Sequence, residues 1–195
     1  MSGQEGVVTA VVATDPDSQG RLGLRFHWLP NGETLEPVYA PVAAALAGGT
    51  RGAWLMPEQG DEVLVAFDRG CWDRPFVVGF LWNGSQAPPE TDRRNRVIVT
   101  PGGHTLRFED GDAKRVILRT AGGSGKAHSI TLDDQARKVV VHSANGHELT
   151  LDDSAGSVTL GVAGGATTVT LDAQSATVRG GGHSVTLSSS GVAIT

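Results

Sequence analysis

The chain has 195 residues and a formal net charge of -5, and its first ninety residues hold five basic side chains, all Arg, against eleven acidic ones. That is the wrong sign for tracking phosphates, so a nucleic-acid partner is excluded. Cys71 is the single cysteine, which excludes an intrachain disulfide framework and fits folding in a reducing cytoplasm, and no apolar run is long enough to span a membrane.

In chain order, the first stretch is Val7 to Ala13, apolar but short and preceded by Glu5 rather than a basic residue, so no secretory leader is expected. Short strands are predicted over Gly6 to Thr14, Arg21 to His27, Ala53 to Leu55, Asp61 to Phe67 and Pro75 to Trp82, with Gly, Pro and Asp between them. Pro41 to Ala47 is the one predicted helical turn. About five strands and one helical insertion in under ninety residues predict a small Greek-key barrel of the OB type. Trp28, Trp54, Trp72 and Trp82 fall near strand ends, where tryptophan anchors a core or an interface. Cys71, beside Trp72 in a turn-like stretch, reads as structural rather than nucleophilic.

Residues 85 to 96 are polar, contain two prolines and three Arg, and read as a linker. Beyond it a phrase recurs: His104-Thr-Leu-Arg-Phe-Glu-Asp110, His128-Ser-Ile-Thr-Leu-Asp-Asp134, His147-Glu-Leu-Thr-Leu-Asp-Asp153, Thr167-Thr-Val-Thr-Leu-Asp172 and His183-Ser-Val-Thr-Leu-Ser188. The copies start 16 to 24 residues apart, room for two short strands and two turns. Alternation places Leu106 and Phe108, or Ile130 and Leu132, on one face and the intervening Arg or Thr on the other. Second strands are predicted at Val116 and Leu118, Val139 and Val141, Val158 and Leu160, Val178, and Val192 and Ile194. No aromatic residue follows Phe108, so this half fills its interior with Val, Leu, Ile and Ala, as a thin stacked rod can. The expected organisation is a barrel domain over 1–84, a linker over 85–96 and a repetitive β-rod over 97–195. The repeat length suits either interchain winding or one turn of a single-chain β-helix.

Catalytic and metal readings are weak by residue chemistry. Asp133/Asp134 and Asp152/Asp153 could suggest a glycosidase, yet adjacent strand residues point to opposite faces and both pairs stand where a turn begins. Ser129, Ser143 and Ser184 lack an elbow motif. His104, His128, His147 and His183 open repeats, too far apart in sequence for a local zinc site. No catalytic, metal or cofactor residue is assigned.

The stretch Trp54-Leu-Met-Pro-Glu-Gln-Gly60-Asp61-Glu62-Val63 through Asp73-Arg74-Pro75 to Trp82-Asn83-Gly84 resembles the OB-domain signature of phage baseplate assembly protein V and of the valine-glycine-repeat spike proteins of type VI secretion. Pro101-Gly-Gly-His104-Thr-Leu-Arg-Phe-Glu-Asp110 resembles the start of that family's β-helix. The resemblance implies an all-β protein in which an OB-fold collar precedes an intertwined homotrimeric triangular β-prism. It would be a structural spike of a contractile injection machine, assembled in the cytoplasm into a baseplate and touching the target envelope transiently. Such a spike docks on a trimeric hub at the OB end; Trp28, Arg69, Trp72 and Arg74, in loops 28–36 and 69–74, are the docking candidates. Val192, Ile194 and Thr195 are candidates for docking a tip protein of the PAAR-repeat type. Some family members bind iron through a His-x-His near the C-terminus, a motif this sequence lacks, and 85–96 leaves no room for the lysozyme domain that others carry. Met1 opens directly on the barrel, which leans toward a phage-like arrangement with a separate hub. A single-chain β-helix that binds or cleaves envelope polysaccharide is the alternative.

Overall fold

The structure, a computed structural model, describes residues 6–32, 34–123 and 126–195. The leader reading at Met1 and Glu5, and Glu33 within the first docking loop, lie outside the described residues. Among the described residues every named element except one short 3-10 turn is a β-strand, and the chain divides into two units, Met1–Pro88 and Pro89–Thr195.

In the first unit β1 (Val7–Thr14), β2 (Leu22–Arg25), β3 (Val38–Ala40), β4 (Glu62–Phe67) and β5 (Pro75–Leu81) form one antiparallel sheet in the order β3-β2-β1-β4-β5. Alternation decides the core. Ala10 and Val12 of β1, Leu22 and Leu24 of β2, Val63, Val65 and Phe67 of β4, and Val77 of β5 all face inward with Phe26 and Ala40. At about 1.5–3 kcal/mol per fully buried large apolar side chain, this cluster is the main favourable term for the unit.

Two predicted elements differ. Pro41 to Ala47 is not helical, although its alanines favour a helix. The Val77 N–H donates to the Pro41 carbonyl at 3.0 Å and the Ala43 N–H donates to the Val77 carbonyl at 2.8 Å, so the segment is held extended in a parallel bridge to β5. Pairing across the fold overrides local propensity here. Ala53 to Leu55 is not a strand, because only a bridge between Ala47 and Gly52 forms there and Trp54 and Leu55 stay exposed. Strand β3 carries only three residues, too few for its alternation to be read from sequence.

The second unit is a single eleven-stranded antiparallel meander, in which each strand pairs only with its sequence neighbours. It opens with β6 (Asn95–Val99), β7 (Thr105–Glu109), β8 (Arg115–Arg119) and β9 (Ser129–Asp133). The middle is β10 (Lys138–His142), β11 (Glu148–Asp152), β12 (Ser157–Gly161) and β13 (Thr168–Asp172). It ends with β14 (Ser175–Gly180), β15 (His183–Ser188) and β16 (Gly191–Ile194). A single-chain β-helix would instead pair each strand with one a full turn away in sequence. β6 begins inside the expected linker, since Asn95 and Arg96 already pair with Glu109 and Phe108.

Turn chemistry sets the strand ends. The Asp133, Asp152 and Asp172 carboxylates accept backbone N–H groups at Ala136, Ala155, and Gln174 with Ser175, at 2.7–2.9 Å. The β14–β15 hairpin needs positive φ at both central residues, and Gly181 and Gly182 supply φ of 60° and 85°.

Candidate functional site

Register gives the meander two unlike faces. Ile130 stands opposite Val141 and Leu118, and Leu132 opposite Val139 and Val116. The same two columns continue through Leu149 and Leu151, Leu160 and Val158, Val169 and Leu171, to Val185 and Leu187. The other face carries Thr131, Thr150, Thr159, Thr170, Thr177 and Thr186 at its centre, with Val140 between the first two. The apolar face is the more open one: Leu118 is 52 %, Leu160 50 % and Leu187 50 % exposed. Singly exposed apolar residues need no explanation, but one apolar column across all eleven strands, beside a second across ten that ends at Arg96 on β6, is a contact surface. Val192 and Ile194, the tip-docking candidates, extend these columns on the outer strand β16, at 67 % and 76 % exposure. The Thr195 backbone is hydrogen-bonded both ways with Ser184.

The hub-docking candidates do not all come together as an exposed patch. Trp28 and Trp72 meet, with ring centroids 5.3 Å apart, and Trp72 also lies 4.7 Å from Phe67 and 6.5 Å from Phe26. Trp72 therefore packs against the core of the first unit, whereas Trp28 remains 46 % exposed. Arg69 sits at φ 53° in the 3-10 turn Asp68–Gly70 and is exposed. Arg74 reaches Asp68 at 3.4 Å, and Arg69 and Arg74 flank Trp72 in sequence.

Sequence reasoning missed an ionic clasp at the start of the second unit. Glu90 accepts the Thr91 and Asp92 N–H groups at 2.8 and 2.9 Å, the Asn95 amide at 3.0 Å and the Arg107 guanidinium at 2.8 Å. Arg107 also binds Glu109, which binds Arg115, each at 2.9 Å. The Asp92 N–H, then that of Thr91, hold the Glu90 carboxyl down at about 2; the Arg94 guanidinium holds Asp92 at about 2. Ordinary carboxyls of these types titrate at about 4.3 and 3.9. Because the folded values are depressed, the clasp is fully in place above the unfolded values and is lost as pH falls through the folded ones. A carboxyl NMR titration is expected to give Glu90 a midpoint near 2, raised in Asn95→Ala. A midpoint near 4 in the unaltered chain would mean the clasp does not form in solution.

Of the carboxylate pairs that suggested a glycosidase, Asp133 and Asp152 accept turn N–H groups. A shallow groove is lined by Leu151, Asp152, Asp153, Ser157 and Asp172. In it the Lys138 ammonium, 2.8 Å away, draws the Asp152 carboxyl below the usual range, and the Gln174 and Ser175 N–H groups do so for Asp172. Sugar hydrolysis needs one carboxyl kept protonated, and these two are held ionised. Among the described residues no three His, Cys, Asp or Glu side chains gather as metal ligands.

Comparison with known proteins bears on the first unit most directly. The type VI secretion system/phage-baseplate injector OB domain matches residues 4–82. The type VI secretion system spike protein VgrG4b of Pseudomonas aeruginosa is 32% identical over 122 residues, covering 54% of this chain and 15% of that protein. VgrG1a of the same organism is 35% identical over 75 residues, covering 37% and 12%. The actin cross-linking toxin VgrG1 of Vibrio cholerae is 28% identical over 111 residues, covering 52% and 10%. The match thus spans 15% or less of each of these much longer relatives. These matches bear out the resemblance to the VgrG-like baseplate spike family.

Proposed function

We propose that this chain, carrying the injector OB domain over residues 4–82, is a non-enzymatic central spike of a contractile injection machine. The observation that carries the reading is the uncovered apolar face of the meander. Its occupant is two further copies of the same chain, their three sheets making the walls of a triangular prism with the Val and Leu columns inside and the threonines outside. Leu118, Ile130, Leu132, Leu151, Leu160, Leu171 and Leu187 are 39–52 % exposed, so covering them recovers roughly half of the ~1.5–3 kcal/mol per side chain, on the order of 15–30 kcal/mol over three copies, which offsets the ~4–15 kcal/mol cost of each of two association steps. That the number is three follows from the family resemblance. Trp28, Arg69 and Arg74 dock the collar on a trimeric hub, and Val192, Ile194 and Thr195 receive a PAAR-type tip protein. The rod transmits axial force into the target envelope as part of a phage-like particle or secretion apparatus.

Light scattering on the full chain, beside a fragment beginning at Pro89, tests this. Both are expected to scatter as three chains, the full chain at three times 20.2 kDa. Two single-chain masses would refute the prism and reopen the polysaccharide-binding alternative.

A further inference from the structure

The two margins of the meander are stitched differently. Along the margin that carries the β7–β8, β9–β10 and β11–β12 connections, the stitches are backbone to backbone. The Asp110, Asp134 and Asp153 N–H groups donate to the Arg94, Lys114 and Arg137 carbonyls at 3.0–3.1 Å. Lys114 and Arg137 take positive φ of 46° and 56°, which turns those carbonyls toward the next connection but one.

Along the opposite margin the stitch is an imidazole. Nδ1 of His104 accepts the Ala121 N–H, Nδ1 of His128 that of Ala144, and Nδ1 of His147 that of Ala163, each at 3.2 Å. Each histidine is itself fixed at its backbone. The His104 N–H donates to Thr100 Oγ1, that of His128 to Thr120 Oγ1 and that of His147 to Ser143 Oγ, at 2.9–3.1 Å. The rings thus link the β6–β7, β8–β9, β10–β11 and β12–β13 connections in series. In the next copy of the repeat Thr167 stands where the histidine would, and the ladder of rings stops.

An imidazole nitrogen accepts a hydrogen bond only while it carries no proton, so each stitch requires the neutral ring with its proton on Nε2. Histidine is the side chain that changes charge between about pH 5 and 8. We infer that this ladder of three imidazoles is an acid-labile seam: mild acid releases one margin of the sheet over β6–β13 while the backbone-stitched margin holds. The inference stands on these contacts alone and not on the spike reading. The other charged or titratable groups at this margin are Arg119, His142 and Glu148, in register with one another through Ser129, Lys126 in the connection before His128, and Arg179 and His183 farther along the same margin. None of them makes the stitch.

The test is backbone hydrogen exchange on the full chain at pH 8 and pH 5, expressed as protection over the unstructured rate at each pH. Protection of the Ala121, Ala144 and Ala163 amides is expected to fall about five- to tenfold at pH 5, while that of Asp134 and Asp153 stays. A triple variant, His104→Asn, His128→Asn and His147→Asn, keeps an acceptor at the same distance from the backbone but cannot gain a proton. It is expected to hold its protection at both pH values, with His142 and Glu148 still present to titrate. Unchanged protection of the three amides in the native chain would overturn the inference, as would an equal loss in the triple variant.

Discussion

Leu151→Asp is expected to convert the protein from three chains to one in light scattering. Leu151 lies mid-meander, 39 % exposed, flanked in register by Val139 and Val158 on the apolar face. In the prism its carboxylate would meet its own two copies in a dry interior, and three buried like charges cost several kcal/mol each beyond the lost leucine contacts. Thr159→Asp, one residue beyond Val158 on the other face, is the control and is expected to leave the mass at three chains. If Thr159→Asp dissociates the protein and Leu151→Asp does not, the faces are reversed and the threonines line the axis.

Trp72→Ala carries the second large effect, in the first unit. The ring touches Phe67, Phe26 and Trp28, so truncation opens one end of the core and is expected to cost about 2–4 kcal/mol, visible as a lower denaturation midpoint for the unit. Trp28→Ala, at a more exposed ring, is expected to cost under half as much and to weaken hub capture at a stability close to native. A Trp72→Ala midpoint unchanged from the native chain would return Trp72 to the role of a purely exposed docking side chain.

Strands were legible in the sequence wherever alternation ran for five residues or more. Ile130 and Leu132, or Val158 and Leu160, announce their faces without help, and the Asp-Asp pairs announce the turns. Pro41 to Ala47 was not legible, because its conformation is decided by Val77, a residue over thirty positions away. The clasp was hidden for a similar reason. Glu90, Arg107 and Arg115 are ordinary charges in sequence, and only the β6–β7–β8 register puts them within 3 Å of one another or of Glu109. The histidines were visible as repeat openers, too far apart in sequence for a local zinc site, but nothing named their partners, since the Ala N–H groups they hold belong to the connection after next.

The pairing of every meander strand with its immediate sequence neighbours also bears on how the chain folds. Each new strand closes a short loop, nine residues at the longest between β8 and β9, so little chain entropy is lost per step and the sheet can grow hairpin by hairpin as the polypeptide emerges. Whatever limits the rate at which this protein matures, it is not the search for strand partners within one chain.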